Sequence, residues 1–243
     1  MKKKVLNHST TILFIIMAML FSLSAAILIP IIFRPFYYAC IKLLNIEGQS
    51  GYSYAEIKEA YDGVMNFIWQ GKEFYVGVMN YSEEGVAHFK DCIPLFWLDL
   101  WVFIISFTYM LTHFLLVRFH ILEFVKYHGF HPLFYSAIVM IVLVVIIGIF
   151  GMIDFYKLFE AFHKLFFPGK DNWEFDEDLD EVVKILPENF FALCAAWIGT
   201  HVLIFDVSAI TYSIKKKKNN KKTPELSDNQ ENEEIVENEV CNQ

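Results

Sequence analysis

Of the chain's 243 residues, 56% are hydrophobic and 17% aromatic, with 25 Phe, and only 20% are charged. Soluble domains carry about 45–50% apolar and about 25% charged residues, so the composition points to a membrane protein and excludes a wholly disordered chain or a small disulfide scaffold. Twenty Lys and Arg against 28 Asp and Glu leave a formal charge of −8, which excludes the broad basic face that a nucleic-acid partner needs.

A bilayer core of about 30 Å takes roughly 20 apolar helical residues to cross. The first such window, 11–33, has no charge. Met1-Lys2-Lys3-Lys4 before it also resembles a signal peptide, with Ser22-Leu23-Ser24 as small residues for cleavage. The apolar run is longer than a signal core and three more spans follow, so an uncleaved anchor is expected. In the segment 34–94, Ile57, Tyr61, Val64 and Ile68 recur at helical spacing, with Glu56, Glu59 and Asp62 off that face. A further helix is predicted to start at Ser82, an N-cap candidate with Glu83 and Glu84 in the first turn, and to run past Pro94 into a second span at 95–117.

The inner loop 118–132 holds His120, His128 and His131, and its ordinary reading is a basic loop rather than a metal site. Pro132 precedes the third window, 133–153, which is uncharged. Next, Phe155, Leu158, Phe159, Phe162 and Phe166 form one apolar stripe of an interfacial helix, with His163 at its edge. An acidic loop around 176–181 leads to the fourth window, 190–212, which carries His201 and Asp206. The remainder, 213–243, is rich in Asn, Glu and Lys and reads as a disordered cytoplasmic tail beside a transmembrane domain at 1–212.

Lys and Arg set the orientation. With the N-terminus inside, the inner flanks 1–10, 118–132 and 213–222 hold 11 of the 20 positive residues. The outer segments 34–94 and 154–189 hold nine over a far longer stretch, and 18 of the 28 acids. The expected fold is an all-α integral membrane protein of four transmembrane helices, both termini cytoplasmic, with a small extracytoplasmic helical cap.

On the helix entering the second span, His88, Asp91, Cys92, Leu95 and Asp99 share one face. A carboxylate three residues from an imidazole can fix its tautomer and raise its pKa. The alternative is a solvated histidine in a surface ion pair. His163 has two readings as well, a functional group at the interface or an imidazole bonded to a backbone carbonyl. Intramembrane carboxyls are functional candidates. Asp99 is placed within reach of the outer edge, while Asp206 is read as bonding a neighbouring helix or snorkelling. Cys40 and Cys92 could pair outside the cell or remain free thiols.

Three strings carry a resemblance: Phe162-His163-Lys164-Leu165-Phe166-Phe167-Pro168-Gly169, then Trp173-Glu174-Phe175-Asp176, then Leu186-Pro187-Glu188-Asn189-Phe190-Phe191. With Tyr81-Ser82-Glu83-Glu84-Gly85-Val86-Ala87-His88-Phe89-Lys90-Asp91, they resemble a family of bacterial four-span membrane proteins that includes the lipoprotein intramolecular transacylases of Gram-positive bacteria. The resemblance covers roughly 11–212. It implies transfer of the sn-2 acyl chain of a lipoprotein's diacylglyceryl group to the α-amino group of its N-terminal Cys, at the cell membrane, leaving a lyso-form lipoprotein. It places the catalytic roles on His88 and His163, and the shared helix face adds Asp91 or Asp99 as the group expected to orient His88.

Phe159, Phe162, Phe166 and Trp173 are the candidate substrate-binding residues, and the partners are the diacylated lipoprotein and membrane lipid. No cofactor or metal is expected: the chemistry needs a base for the amine and an acid for the departing oxygen. The chain lacks C-x-x-C, H-E-x-x-H and EF-hand patterns. A thioester route through Cys92 is the second mechanism. A membrane scaffold or sensor binding an envelope partner through the cap is the rival function, and a channel or transporter the third.

Overall fold

A computed structural model describes residues 2–219 of the chain. In chain order its helices are α1 (Lys2–Ile32), α2 (Arg34–Leu43), α3 (Ile46–Ser50), α4 (Tyr54–Gln70), α5 (Glu83–Arg118), α6 (Leu133–Ile153), α7 (Phe155–Phe166), α8 (Val182–Ile185) and α9, described over Glu188–Asn219. Among the described residues, four helices, α1, α5, α6 and α9, are long and apolar enough to cross a membrane. They carry the four predicted windows, α6 with identical bounds.

α1 packs against α5, α6 and α9, and α6 packs along α9. Many of the positions that face inward are small: Ala18, Ser22 and Ala26 on α1, Ser106 on α5, Ala137 on α6 and Ala209 on α9 are buried. Small residues let membrane helices approach closely, because burying large side chains gains little when lipid is as apolar as the partner helix. Large residues such as Ile105, Ile147, Phe150 and Ile204 accordingly stay on the outer surface of the bundle.

Two single-residue breaks turn the chain out of the bundle at one end. Phe33 (φ −87°, ψ 81°) stops α1, and Pro35, with its preset φ and missing N–H, sits in the first turn of α2. Asp154 ends α6 and caps α7, its carboxylate accepting from the Lys157 N–H at 3.0 Å. The cap built beyond these breaks holds the larger buried apolar cluster among the described residues. α4 opens with a capping box, Ser53 and Glu56 each accepting from the other's backbone N–H.

The predicted stripe Ile57, Tyr61, Val64 and Ile68 is buried against α2, α8 and Val76. Tyr37 stacks on Tyr61 at 3.8 Å, and its hydroxyl donates to the Ile185 carbonyl at 2.6 Å, joining the two sequence-distant segments of the cap. At Gly63 an added Cβ would lie 2.0 Å from the Tyr75 carbonyl oxygen, so only glycine lets the 74–76 stretch cross α4 this closely. Water drives this core together by apolar burial, about 1.5–3 kcal/mol for each large side chain.

At the far end, His128 and His131 do not converge. His131 is buried among Phe14, Phe124 and Tyr212, whereas exposed His128 meets the Tyr135 hydroxyl. α9 continues as helix over 213–219, the first residues of the segment expected to be disordered. The rest of that expectation, 220–243, lies outside the described residues.

Candidate active site

α5 has 36 residues and is therefore about 54 Å long, well beyond a bilayer core of about 30 Å. Its first twelve residues, 83–94, project past the apolar span into the cap. The start is fixed twice. Ser82 Oγ accepts from the Gly85 N–H at 2.9 Å, as predicted for an N-cap. Asp180, from the other cap segment and only 5% exposed, then accepts from the Ser82 N–H at 2.8 Å and from its hydroxyl at 2.8 and 3.0 Å. Gly85 makes room for that carboxylate, since a Cβ there would sit 2.1 Å from Asp180 Oδ1.

Two turns into α5, His88 is 6% exposed, and His163 on α7 is 7% exposed. Their ring centroids are 5.7 Å apart. Phe167 and Phe175 stand 5.1 and 5.4 Å from the His88 ring, and Trp173 stacks on His163 at 4.7 Å with Phe159 at 4.2 Å. The pair lies in an aromatic enclosure at the cap end of the bundle. His163 Nδ1 is 2.8 Å from the Phe159 carbonyl oxygen. A carbonyl only accepts, so Nδ1 carries the proton and Nε2 of neutral His163 keeps its lone pair. His88 Nε2 is 3.5 Å from Cys92 Sγ.

The carboxylate face predicted on α5 is used differently. Asp91 accepts from Lys170 Nζ at 2.5 Å and from Asn172 Nδ2 at 3.1 Å, so it clips the segment after α7 onto α5 instead of bonding His88 directly. Trp173 is held in the same segment by donating from Nε1 to the Lys170 carbonyl. Asp99 is eleven residues beyond His88, about 16 Å along the helix axis, and does not join the pair. The shared face was correct, but the helical rise separates its ends.

Of the aromatic candidates, Phe159 and Trp173 line the pair and Phe162 meets the His163 ring edge-on at 5.5 Å, while Phe162 and Phe166, 48% and 44% exposed, pack against each other at 4.7 Å. Cys40 and Cys92 are both free thiols: Cys40 is buried in the cap core toward Cys194, and Cys92 lies beside His88. Burial pushes the Cys92 thiol up to about 12. Asn172, Lys170 and Asp180 were not singled out from the sequence, and Phe167 and Phe175 stand there only within the strings that carry the resemblance, without a role. Their roles depend on which segments meet across the cap, which spacing along the chain does not report.

Burial pushes His88 down to about 4, neighbouring His163 adds to the effect, and Asp91 and Asn172 oppose it. Burial also lowers His163, opposed by its bond to the Phe159 carbonyl. In the far-end loop, burial followed by Lys216 and Lys126 takes His131 to about 4. An unfolded histidine titrates near 6.5. Between about 4 and 6.5 the unfolded chain therefore binds more protons, so this stability is complete above pH 6.5 and is lost as pH falls through that window. Thermal unfolding in detergent is expected to shift downward from pH 7 to pH 5, by up to about 2 kcal/mol for each of His88 and His131. A His88→Gln, His131→Gln double variant should lose most of that dependence. An unchanged slope in the double variant would refute the assignment.

The fold and the site define a multi-pass membrane protein with a buried imidazole pair held between its bundle and its cap. The chain belongs to the lipoprotein intramolecular transacylase family: the family model described as "Lipoprotein intramolecular transacylase Lit" matches residues 12–191. Among solved structures, the membrane integral lipoprotein intramolecular transacylase Lit from Bacillus cereus is similar, with a TM-score of 0.77 and 24% identity over 88% of this chain and 99% of that one. Two variants of the same Bacillus cereus protein, each substituted at a histidine, match with TM-scores of 0.70 and 0.69 at 23% and 24% identity, over 88% of this chain and 96% and 95% of theirs. No curated protein sequence matches the chain.

Proposed function

We propose that this transacylase moves the sn-2 acyl chain of a diacylglyceryl group onto the α-amino group of the same lipoprotein's N-terminal Cys, at the outer leaflet, with His163 and His88 as the reacting groups. The observation that carries the reading is the pair of buried imidazoles, 5.7 Å apart, enclosed by aromatic rings at the end of a membrane bundle. The attacking nitrogen forms a bond to the ester carbonyl carbon, and the carbon–oxygen bond to glycerol breaks. One proton leaves the nitrogen and one reaches the glyceryl oxygen. No water is consumed, and an ester becomes an amide.

His163 is the better base of the two, because its Nδ1–H already donates to the Phe159 carbonyl, a bond that strengthens when the ring becomes imidazolium. Its Nε2 takes the proton from the attacking nitrogen and returns it to the glyceryl oxygen. His88, whose charged form is disfavoured by burial and by His163, stays neutral and accepts a hydrogen bond from the amine through Nε2, aiming the nitrogen lone pair at the carbonyl. Nucleophile and ester belong to one molecule, so holding the headgroup supplies the proximity term.

Both termini lie in the cytoplasm in this reading, as the Lys and Arg distribution supports. The test is expression in a bacterium that makes diacyl lipoproteins, followed by mass spectrometry of one lipoprotein's N-terminal peptide. The expected result is an N-acyl peptide with a lyso-glyceryl thioether, isobaric with its precursor and distinguished by fragmentation. An unchanged diacylglyceryl peptide with a free amine, despite membrane-inserted protein, would overturn the proposal.

A further inference from the structure

We infer that Asn172 is a positioning residue for this transfer: its amide links the Asp91 carboxylate to His88 Nδ1 and holds His88 as the tautomer with the proton on Nδ1 and the lone pair on Nε2. The inference rests on the reading of His88 as a reacting group and adds the residue that prepares it.

The orientation of Asn172 follows from its partner. A carboxylate only accepts, and Asp91 Oδ2 is 3.1 Å from Asn172 Nδ2, so the amide nitrogen is committed to Asp91 and the amide oxygen is turned the other way. Asn172 Oδ1 is buried and so is His88 Nδ1, and neither has a formed hydrogen bond in the structure. The two side chains are neighbours, and the Asn172 amide favours the protonated form of His88. Their alignment falls short of a fully formed bond, but their chemistry is complementary in one sense only. Asn172 Oδ1 has no hydrogen to give, so His88 Nδ1 must bring it.

An unpaired buried polar atom costs about 1–3 kcal/mol, and satisfying two at once makes the Nδ1–H tautomer the preferred one. Cys92 does not oppose it, since a thiol that burial keeps protonated can offer its weak S–H to Nε2 and yield it to a better donor. The remaining titratable or charged groups around His88 are His163, Asp91 and Lys170. Lys170 fixes the other Asp91 oxygen, leaving Oδ2 for the amide. The carboxylate thus acts on the imidazole through an amide, which explains how Asp91 supports His88 without touching it.

The experiment uses the full-length protein with ¹⁵N-labelled histidine, the His88 signals being assigned by their loss in His88→Gln. Nitrogen shifts of a neutral imidazole separate a protonated from an unprotonated ring nitrogen. Wild type is expected to show His88 protonated at Nδ1. Asn172→Leu, which keeps the side-chain volume, is expected to show a mixture or the Nε2–H tautomer, and to lower kcat roughly 10–100-fold, the usual effect of removing a group that orients a functional imidazole. Asn172→Gln keeps an amide donor for Asp91 and an amide oxygen for Nδ1–H and is expected to keep the wild-type tautomer and more of the rate than the leucine variant.

An Nε2–H tautomer in wild type, or the same tautomer in wild type and Asn172→Leu, overturns the inference. Full acyl transfer by His88→Ala would instead overturn the catalytic reading, whatever the tautomer measurements give.

Discussion

Replacing His163 with Gln is expected to slow acyl transfer by about 10²–10⁴-fold, the contribution typical of a positioned acid–base group, and His88→Ala, which removes the acceptor that aims the amine, is expected to slow it as well. At position 163 glutamine keeps a polar side chain of similar reach but cannot carry a proton between two substrate atoms. The two losses should not add: a double variant is expected to be little slower than the worse single one, because both groups serve one transition state. Purified protein, a synthetic diacylglyceryl peptide and mass spectrometry of the product give the rates, with membrane insertion and thermal unfolding checked for each variant.

Cys92→Ala is the companion measurement. Burial holds that thiol at about 12, so little thiolate is present near neutral pH to form a thioester, and most of the activity should remain. Normal rates in both histidine variants would remove the imidazole pair from the reaction. A dead Cys92→Ala protein that remains folded would favour the thioester route.

Much of the fold is legible along the chain because the membrane makes strong demands on sequence. A window of about 20 apolar residues is hard to place anywhere but the bilayer, and the breaks fall where Pro and Asp change the backbone, as at Pro132 and Asp154. Helical periodicity also places Ile57, Tyr61, Val64 and Ile68 on one face, and these residues form the cap core. The proximity of His88 and His163 is not written in either local pattern. It follows from α5 running past the membrane and from α7 turning at Asp154 to meet it.

A shared helix face is not by itself a shared site. Asp91 and Asp99 both lie on the His88 face, yet one carboxylate is occupied by Lys170 and Asn172, and the other is too far along the axis. The polar contacts that shape the site come from the 170–180 stretch. Its sequence shows an acidic loop and gives no period from which a partner on α5 could be deduced.

Asp180 is expected to be the residue of that stretch on which the cap depends most. Its buried carboxylate accepts from both the backbone N–H and the hydroxyl of Ser82, at the positive N-terminal end of α5, and adjacent Glu181 exchanges bonds with Asn80. Asp180→Ala removes the acceptor and leaves a partly buried N–H without a partner. Hydrogen bonds to a charged group contribute about 1.5–3 kcal/mol each, and a negative charge at a helix N-terminus about 0.3–1 kcal/mol more. The expected loss is therefore about 3–7 kcal/mol of cap stability. Asp180→Asn, which retains an oxygen acceptor without the charge, should lose less than half of that.

The bundle does not use this contact, so the effect is expected to be local. Limited proteolysis should cut the Asp180→Ala protein between Gln70 and Ser82 while the membrane helices remain protected. Acyl transfer should fall with it, because His88 is fewer than two turns from Ser82 and moves with the start of α5. Ser82→Ala keeps the backbone N–H bond to Asp180 and should be milder than Asp180→Ala in both measurements. Equal protease resistance in wild type and Asp180→Ala would show that the two cap segments are held together without this latch. In that case the alignment of His88 with His163 would have to come from the Asp91 clip and the aromatic contacts alone.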